Sequence, residues 1–172
     1  MKETLAIINQ MQADGIIESY AIGGAVGATF YLEPAATVDL DVFVTLPPAT
    51  GLLISLTPIY EYLKAHGGVA QDEYIVIGNW PVQFLAAGSE LELEALRDAV
   101  AADVEGVTTS VMSAEHLVAI ALQTGRSKDH NRILQFLDQD SVDREKLRSI
   151  LERNGLIAKW QQFERRYLDG AE

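Results

Sequence analysis

The chain has 172 residues, 48% of them hydrophobic and 22% charged, with a formal net charge of −12 and no cysteine. These values predict a soluble globular chain, and they exclude disulfides and thiolate chemistry, which suits a protein of the cytoplasm. The negative charge disfavours unaided binding to phosphate backbones, so a nucleotide or nucleic acid would need a local basic patch or a metal ion. The sequence predicts neither a membrane span nor a secretory signal, and no membrane partner is expected.

The front two-thirds of the chain alternates between helical and strand-like patterns. Apolar spacing, β-branched content and the positions of Gly and Pro define each element. In chain order, the predicted elements are a helix over 4–11, a strand over 17–22, a Gly-Gly turn feeding a helix that ends at Pro34, a strand over 38–44, a helix over 49–68 broken near Pro58, a hairpin over 73–87 that turns at Gly78 and Asn79, a helix over 89–102 and a strand over 106–112.

From Ser113 onward the pattern is entirely helical. Four amphipathic helices are predicted, over 113–125, 127–139, 141–155 and 156–170. We therefore predict an α/β (α+β) fold, with a mixed β-sheet flanked by helices over residues 1–112. A C-terminal helical segment, residues 113–172, is expected to pack on this core so that the chain forms a single compact unit.

Two carboxylates, Asp39 and Asp41, lie one residue apart in the strand-like segment VDLDVFV. Successive side chains of a strand point to opposite faces, so the two aspartates share one face and lie about 7 Å apart. Burying them together is costly unless a cation lies between them. The alternative is a solvated face, because antiparallel sheets often expose one side to water.

Gly23 and Gly24 come between a predicted strand and a predicted helix. Glycine lets the backbone turn tightly and lets a phosphate approach closely, and the N-terminus of the following helix offers N–H groups to an anion. Together with the Asp-x-Asp strand, this arrangement predicts a nucleotide site. The glycines would hold the phosphates of a nucleoside triphosphate, and Asp39 and Asp41 would hold a divalent metal that bridges them.

These motifs resemble the signature of the nucleotidyltransferase superfamily typified by DNA polymerase β. The resemblance covers roughly residues 20–135 and includes the Gly-Gly turn, the Asp-Leu-Asp segment, PVQFL and SAEHLVAIALQTGRSKDHNRI. Within the superfamily the chain looks closest to small bacterial proteins related to abortive-infection toxins and to minimal nucleotidyltransferases. The resemblance implies a nucleotidyltransferase-like sheet, with Gly23 and Gly24 at the phosphates and with Asp39 and Asp41 as catalytic ligands of Mg²⁺ or Mn²⁺.

One position departs from the family pattern. Active members usually carry a third carboxylate on a neighbouring strand, where it helps to hold the metal and to draw the proton from the attacking hydroxyl. The strand PVQFL offers Gln83 instead, which can lend a carbonyl oxygen to a metal but is a poor proton acceptor. Glu73 is a weaker candidate for a substitute acid, whereas Glu90, Glu92 and Glu94 fit a solvated helix face.

A short basic turn, GRSKDHNR, concentrates cations in an acidic chain. It contains Arg126, Lys128 and Arg132, at the start of a predicted helix. A helix N-terminus with adjacent cations suits a triphosphate. The family resemblance implies that Arg126 and Lys128 contact phosphates and that Asp129 orients a basic side chain. The alternative is a surface network in which Asp129 pairs with Arg132.

The leading hypothesis is transfer of a nucleoside monophosphate from an NTP to a hydroxyl of a protein, a tRNA or a small molecule, with Mg²⁺ or Mn²⁺. The net charge disfavours a large RNA footprint, and the resemblance alone suggests a toxin–antitoxin role. A homodimer and a cognate toxin or antitoxin partner are open alternatives. The rival hypothesis is a catalytically weak or inactive nucleotide-binding or regulatory protein on the same fold, because Gln83 stands in place of the third carboxylate.

Overall fold

A computed structural model describes residues 1–33, 39–48 and 55–168. The strands within these ranges are β1 Ser19–Ile22, β2 Leu40–Thr45, β3 Val69–Gln71, β4 Tyr74–Ile77, β5 Trp80–Ala86, β6 Val100–Val104 and β7 Val107–Val111. The helices are α1 Lys2–Ala13, α2 Gly24–Ala28, α3 Thr57–Ala65, α4 Glu90–Arg97, α5 Ala114–Thr124, α6 Ser127–Asp138, α7 Arg144–Arg153 and α8 Ile157–Tyr167. None of these helices is long and apolar enough to cross a membrane.

The described strands form one mixed sheet in the order β3-β4-β5-β2-β1-β7-β6. β2 lies at its centre, antiparallel to β1 and parallel to β5, and β1 is in turn parallel to β7. Both ends of the sheet are antiparallel hairpins. The strand that carries Asp41 is therefore paired on both sides, unlike an edge strand.

Helices cover both faces of the sheet, so the chain builds two apolar layers. The alternation of side chains along β2 reflects this arrangement. Leu40, Val42 and Val44 belong to the layer beneath α1 and α3, whereas Phe43 belongs to the layer beneath α4 and α5. Asp41 shares the face of Phe43, because the two residues are two apart in a strand. The aspartate therefore faces the helices of the C-terminal segment.

The C-terminal helices pack on the sheet layer that contains Phe43. α5 is the central helix of this layer and contacts α2, α4, α6, α7 and α8. One buried cluster combines Ala21, Phe43 and Met112 of the front part with Phe136 of α6 and Phe163 of α8. The predicted fold class, a mixed sheet flanked by helices with a helical C-terminal segment, is confirmed.

The predicted hairpin over 73–87 forms β4 and β5. Gly78 and Asn79 at its turn have φ values of +53° and +68°. A two-residue type I′ turn requires positive φ at both positions, which explains this pair of residues. The turn fixes the register of β5, and β5 places Gln83 directly beside Asp41 in the parallel β2–β5 pair.

One predicted feature of the front part is wrong, and one strand was not predicted. Residues 100–102 were expected to continue a helix but begin β6, because Val100 pairs with Val111 and this cross-strand pairing outweighs the helix propensity of the alanines. β3 has no counterpart among the predicted elements and pairs with β4. Of the helix predicted over 49–68, α3 covers Thr57–Ala65. Residues 49–54 and the predicted helix end at Pro34 lie outside the described residues.

Candidate active site

A cavity of about 720 Å³ lies between the face of β2 and β5 that carries Asp41 and the helices α5 and α6. Six of the seven site residues predicted from the sequence line it, namely Gly24, Asp39, Asp41, Arg126, Lys128 and Asp129. Gly23, the seventh, is not among its described lining residues. The Asp-x-Asp strand and the basic turn, which are more than eighty residues apart in the chain, therefore meet in one place.

Asp41 is the partly buried carboxylate at the centre of this cavity. Burial raises its pKa, and the negative charge of Asp39 raises it further. Arg132, Lys128 and Arg126 act in the opposite direction, in that order of strength, without cancelling the rise. The native fold therefore holds a carboxylate whose ionisation is unfavourable, and a cation bound between Asp39 and Asp41 would relieve that cost.

Gly24 lies directly against the Asp41 carboxylate. Its φ is +58°, and a Cβ added to it would lie 1.9 Å from the Asp41 Oδ2. No larger residue could occupy this position without moving the carboxylate. Gly23 has a different role, because its N–H donates to the Asp41 carbonyl oxygen at 3.0 Å and an added Cβ would lie 2.7 Å from the Phe43 ring. Packing against the Phe43 ring therefore explains why position 23 needs glycine, and close contact with the Asp41 carboxylate explains why position 24 does.

Gln83 occupies the strand position beside Asp41. Paired residues of parallel strands project to the same face of a sheet, and both residues line the cavity. Gln83 is therefore located where the family resemblance leads one to expect the third carboxylate. Glu73, in the turn between β3 and β4, also lines the cavity.

The N-terminus of α6 is built around the buried carboxylate of Asp129, which is only 1% exposed. Arg126 donates from Nε to Oδ2 at 2.7 Å and from Nη2 to Oδ1 at 3.3 Å, and its backbone N–H donates to Oδ2 at 3.1 Å. Burial alone would raise the pKa of Asp129, but these hydrogen bonds and the charges of Arg126 and Arg132 lower it. Asp129 is therefore an ionised anchor that holds the basic turn in place.

Arg132 also lines the cavity, although the family resemblance implies phosphate contacts for Arg126 and Lys128 and names none for Arg132. It lies four residues after Lys128 on α6, so the two side chains share one face of the helix. Both line the cavity. This i, i+4 spacing is the signal that could have placed Arg132 at the site.

A second group of titratable side chains lies where α4, α5 and α7 meet. Glu94, Asp98 and the fully buried His116 offer ligand atoms within 4.8 Å of one another, a candidate metal-binding group among the described residues. The Glu94 carboxylate already accepts hydrogen bonds from Arg153 and Asn154 as well as from the histidine. Burial alone would raise the pKa of Glu94, but these donors lower it to about 2. Because a metal would compete with them, the contacts favour a structural role.

The fold is that of nucleotidyltransferase-like proteins. The structure is similar to an antigenic nucleotidyltransferase-like protein from Paracoccidioides brasiliensis, with a TM-score of 0.56 and 14% identity over 87% of this chain and 84% of that chain. It is also similar to the antibiotic-resistance factor ANT(2'')-Ia, with a TM-score of 0.50 and 13% identity over 95% and 96% of the two chains. At these identities the likeness shows the fold alone. No protein-family model and no curated protein matches the sequence.

Proposed function

We propose that this protein is a metal-dependent nucleotidyltransferase, which moves a nucleoside monophosphate from an NTP to a hydroxyl acceptor and releases pyrophosphate. The observation that carries the proposal is the single cavity that joins Asp39, Asp41 and Gly24 to the basic N-terminus of α6. The nucleotidyltransferase-like fold agrees with it. Carboxylates and cations on opposite walls are what a metal-bound triphosphate requires.

The residues present fit a hard divalent cation. Asp39 and Asp41 supply carboxylate oxygens, and Gln83 supplies an amide oxygen beside them, which is the donor set that Mg²⁺ or Mn²⁺ prefers. The raised pKa of Asp41 agrees with a site that gains from a bound cation. When bound, such an ion would offset the charge of the triphosphate and polarise the phosphoryl oxygens.

The remaining roles fall to side chains that line the same cavity. Arg126 and Lys128 place positive charge where the phosphates would lie, and Gly24 allows a close approach of the backbone. Gln83 cannot act as a general base, a contribution typically worth about 10²–10⁴-fold in rate. Glu73 is an acid of the cavity wall that could take over this role. Glu92 also lines the cavity, but its carboxylate accepts from the Gly88 and Ser89 N–H groups.

A second candidate function follows from Gln83. Its register beside Asp41 favours a protein that binds a nucleotide and transfers it slowly or not at all, with a regulatory role on the same fold. The two candidates share the metal and nucleotide site and differ only in turnover.

The acceptor is proposed from general features of the chain. The net charge of −12 disfavours a large RNA surface, so a small molecule or a protein hydroxyl is favoured over a tRNA. A toxin–antitoxin role, a homodimer, a cognate partner and a cytoplasmic location are further proposals that rest on the sequence.

The test follows label from α-³²P NTPs with Mg²⁺, for wild type, for Asp39→Asn with Asp41→Asn, and for Gln83→Asp. The double variant should lose Mg²⁺-dependent NTP binding, and in EDTA at neutral pH its melting temperature should equal or exceed that of wild type. Because the pKa of Asp41 is raised in the folded state, the free energy of unfolding falls as pH rises from the ordinary carboxyl pKa to the raised one. The double variant has no carboxylate at this position and does not lose this stability. Gln83→Asp should increase transfer.

The matched control replaces Asp138 and Asp140 by Asn, because this exposed pair has the same spacing and charge but lies at the far end of α6. The control should bind Mg²⁺ and NTP like wild type. Equal thermal shifts with Mg²⁺ and NTP in wild type and in the Asp39, Asp41 double variant would refute the site. Binding by wild type without transfer, together with transfer by Gln83→Asp, would establish the binding-protein candidate for the natural chain.

A further inference from the structure

Three cations of the basic turn line the cavity, and two of them, Arg126 and Arg132, differ in their hydrogen bonds and in their exposure. Arg126 is committed to the Asp129 carboxylate through two side-chain hydrogen bonds, at 2.7 and 3.3 Å, and its backbone N–H also donates to that carboxylate. Its side chain is nevertheless 59% exposed. A guanidinium held in this way closes the first turn of α6, and two of its five N–H donors are already used by Asp129.

Arg132 has the opposite character. Its side chain is only 19% exposed, and its Nη1 lies 3.8 Å from the Asp129 Oδ1, an ion-pair distance too long for a hydrogen bond. Within the described ranges, this guanidinium makes no hydrogen bond, although it carries five N–H donors. A mostly buried cation with unused donors favours an anionic ligand with several acceptor oxygens.

The position of Arg132 indicates which part of a nucleotide it would meet. It lines the cavity of Asp41, and with Lys128 it also lines an adjoining cavity of about 230 Å³ beside Ala25 and Ala28 of α2. α2 begins at Gly24, the glycine against the Asp41 carboxylate. Arg132 therefore borders both the cavity of the aspartates and the space beside α2.

Resting on the proposed function, we infer that Arg132 is the main phosphate-binding arginine of this protein and holds the β- and γ-phosphates, the part of the NTP that leaves as pyrophosphate. Asp129 is the positioning residue, because its carboxylate fixes Arg126 on one side and attracts Arg132 on the other. The planar fork of Arg132 suits two oxygens of one diphosphate group. In this assignment Arg126 mainly holds the first turn of α6 and adds positive charge to the cavity.

The experiment compares Arg132→Gln, Arg132→Lys and Arg126→Gln for binding of inorganic pyrophosphate and of ATP, GTP, CTP and UTP with Mg²⁺, by titration calorimetry. Arg132→Gln should weaken binding of pyrophosphate and of the preferred NTP by about tenfold or more, while the affinity for the matching NMP changes less than about twofold. Arg132→Lys should restore only part of the loss, because lysine keeps the charge without the fork. Arg126→Gln removes one positive charge from the cavity and should weaken pyrophosphate binding clearly less than Arg132→Gln does, by about threefold or less, while it lowers the melting temperature.

Arg148→Gln is the matched control, because Arg148 is an exposed arginine on α7 that pairs with Glu152. If Arg132→Gln binds pyrophosphate like wild type, or if Arg126→Gln accounts for the whole loss, the assignment of Arg132 is overturned while the proposed function stands. If wild type binds pyrophosphate and NTP but transfers nothing, the enzyme proposal fails and the comparison of the two arginines still decides the assignment. If wild type binds neither ligand with Mg²⁺, both proposals are overturned.

Discussion

Substitution of Gly24 should affect ligand binding more than it affects the stability of the fold. In Gly24→Ala the new Cβ would overlap the Asp41 Oδ2, and because this atom ends a rotatable side chain, the carboxylate would turn away. The φ of +58° adds about 1–2 kcal/mol of strain. We expect Mg²⁺-dependent NTP binding to be lost, with a fall in melting temperature of about 2–4 °C per kcal/mol.

Gly106→Ala is the control for this substitution. Gly106 also has a positive φ, +83°, but nothing lies within 4 Å of an added Cβ. It should show a comparable fall in melting temperature with unchanged NTP binding, both measured by calorimetry. If Gly24→Ala binds NTP as well as Gly106→Ala does, the contact between Gly24 and Asp41 does not shape the site.

At the scale of elements, Glu94 joins three helices. It lies on α4, bonds His116 of α5, and accepts from Arg153 and Asn154 at the end of α7. Glu94→Gln should lower the free energy of unfolding at pH 7 by about 1.5–3 kcal/mol, the range for hydrogen bonds to charged groups. Glu152→Gln, which breaks only an exposed pair with Arg148, should cost about 0.5 kcal/mol or less.

The effect of Glu94→Gln should depend on pH. The pKa of Glu94 is lowered from 4.5 to about 2. Because its pKa is lower in the folded state, the ionised Glu94 stabilises the fold at any pH above the ordinary carboxyl pKa of 4.5. This stabilisation is lost as the pH falls from 4.5 toward 2. Urea unfolding should therefore show the largest difference between wild type and Glu94→Gln near neutral pH and convergence in acid. A difference that stays constant from pH 7 to pH 2 would contradict the assigned ion pair.

Local signals account for the elements that the sequence predicts well. Ser113 caps α5 by accepting from the His116 N–H, and Gly125 ends that helix with a φ of +73°. Both capping signals depend only on residues that are neighbours in the sequence. β3 and β6 could not be found in this way, because they are short edge strands with largely exposed residues and little apolar alternation. What makes them strands is pairing with a neighbour.

The same distinction applies to the two clusters of polar residues. Asp39, Asp41 and Gly24 are recognisable because two short motifs, Gly-Gly and Asp-Leu-Asp, lie close together in the sequence in a strand, turn, helix and strand order. Arg132 reaches the cavity because helix packing turns α6 toward β2. The Glu94 cluster combines side chains from helices that are separated along the chain. Spacing in the sequence can place Arg132 on the same face of α6 as Lys128. It carries no information about the packing that turns this face toward β2, or about the meeting of helices that forms the Glu94 cluster.

At the scale of the whole molecule, the front part shares its core with the C-terminal helices. Ala21, Phe43, Leu91 and Met112 form one cluster with residues of α5 to α8, so removal of the segment 113–172 would leave a large apolar face in water. We expect residues 1–112 alone to lack a cooperative thermal transition and to bind a hydrophobic dye. The shared core supports our proposal that the two parts form a single compact unit.

A chain that ends at Leu168 keeps every described element and is the control for this truncation. It should unfold in one sharp transition, as the full chain should, in differential scanning calorimetry. A sharp, dye-free transition for residues 1–112 would show that the front part is an independent domain, and the proposal of a single unit would be wrong.

The pairing of Gln83 with Asp41 also has a genetic consequence. A glutamine codon becomes a glutamate codon by a change of its first base, whereas aspartate requires two changes. The backbone already presents this position to the cavity, so a single point mutation would supply a third acidic side chain there. Under the proposed function, a protein that only binds the nucleotide and one that transfers it would therefore differ by a single base change at this codon.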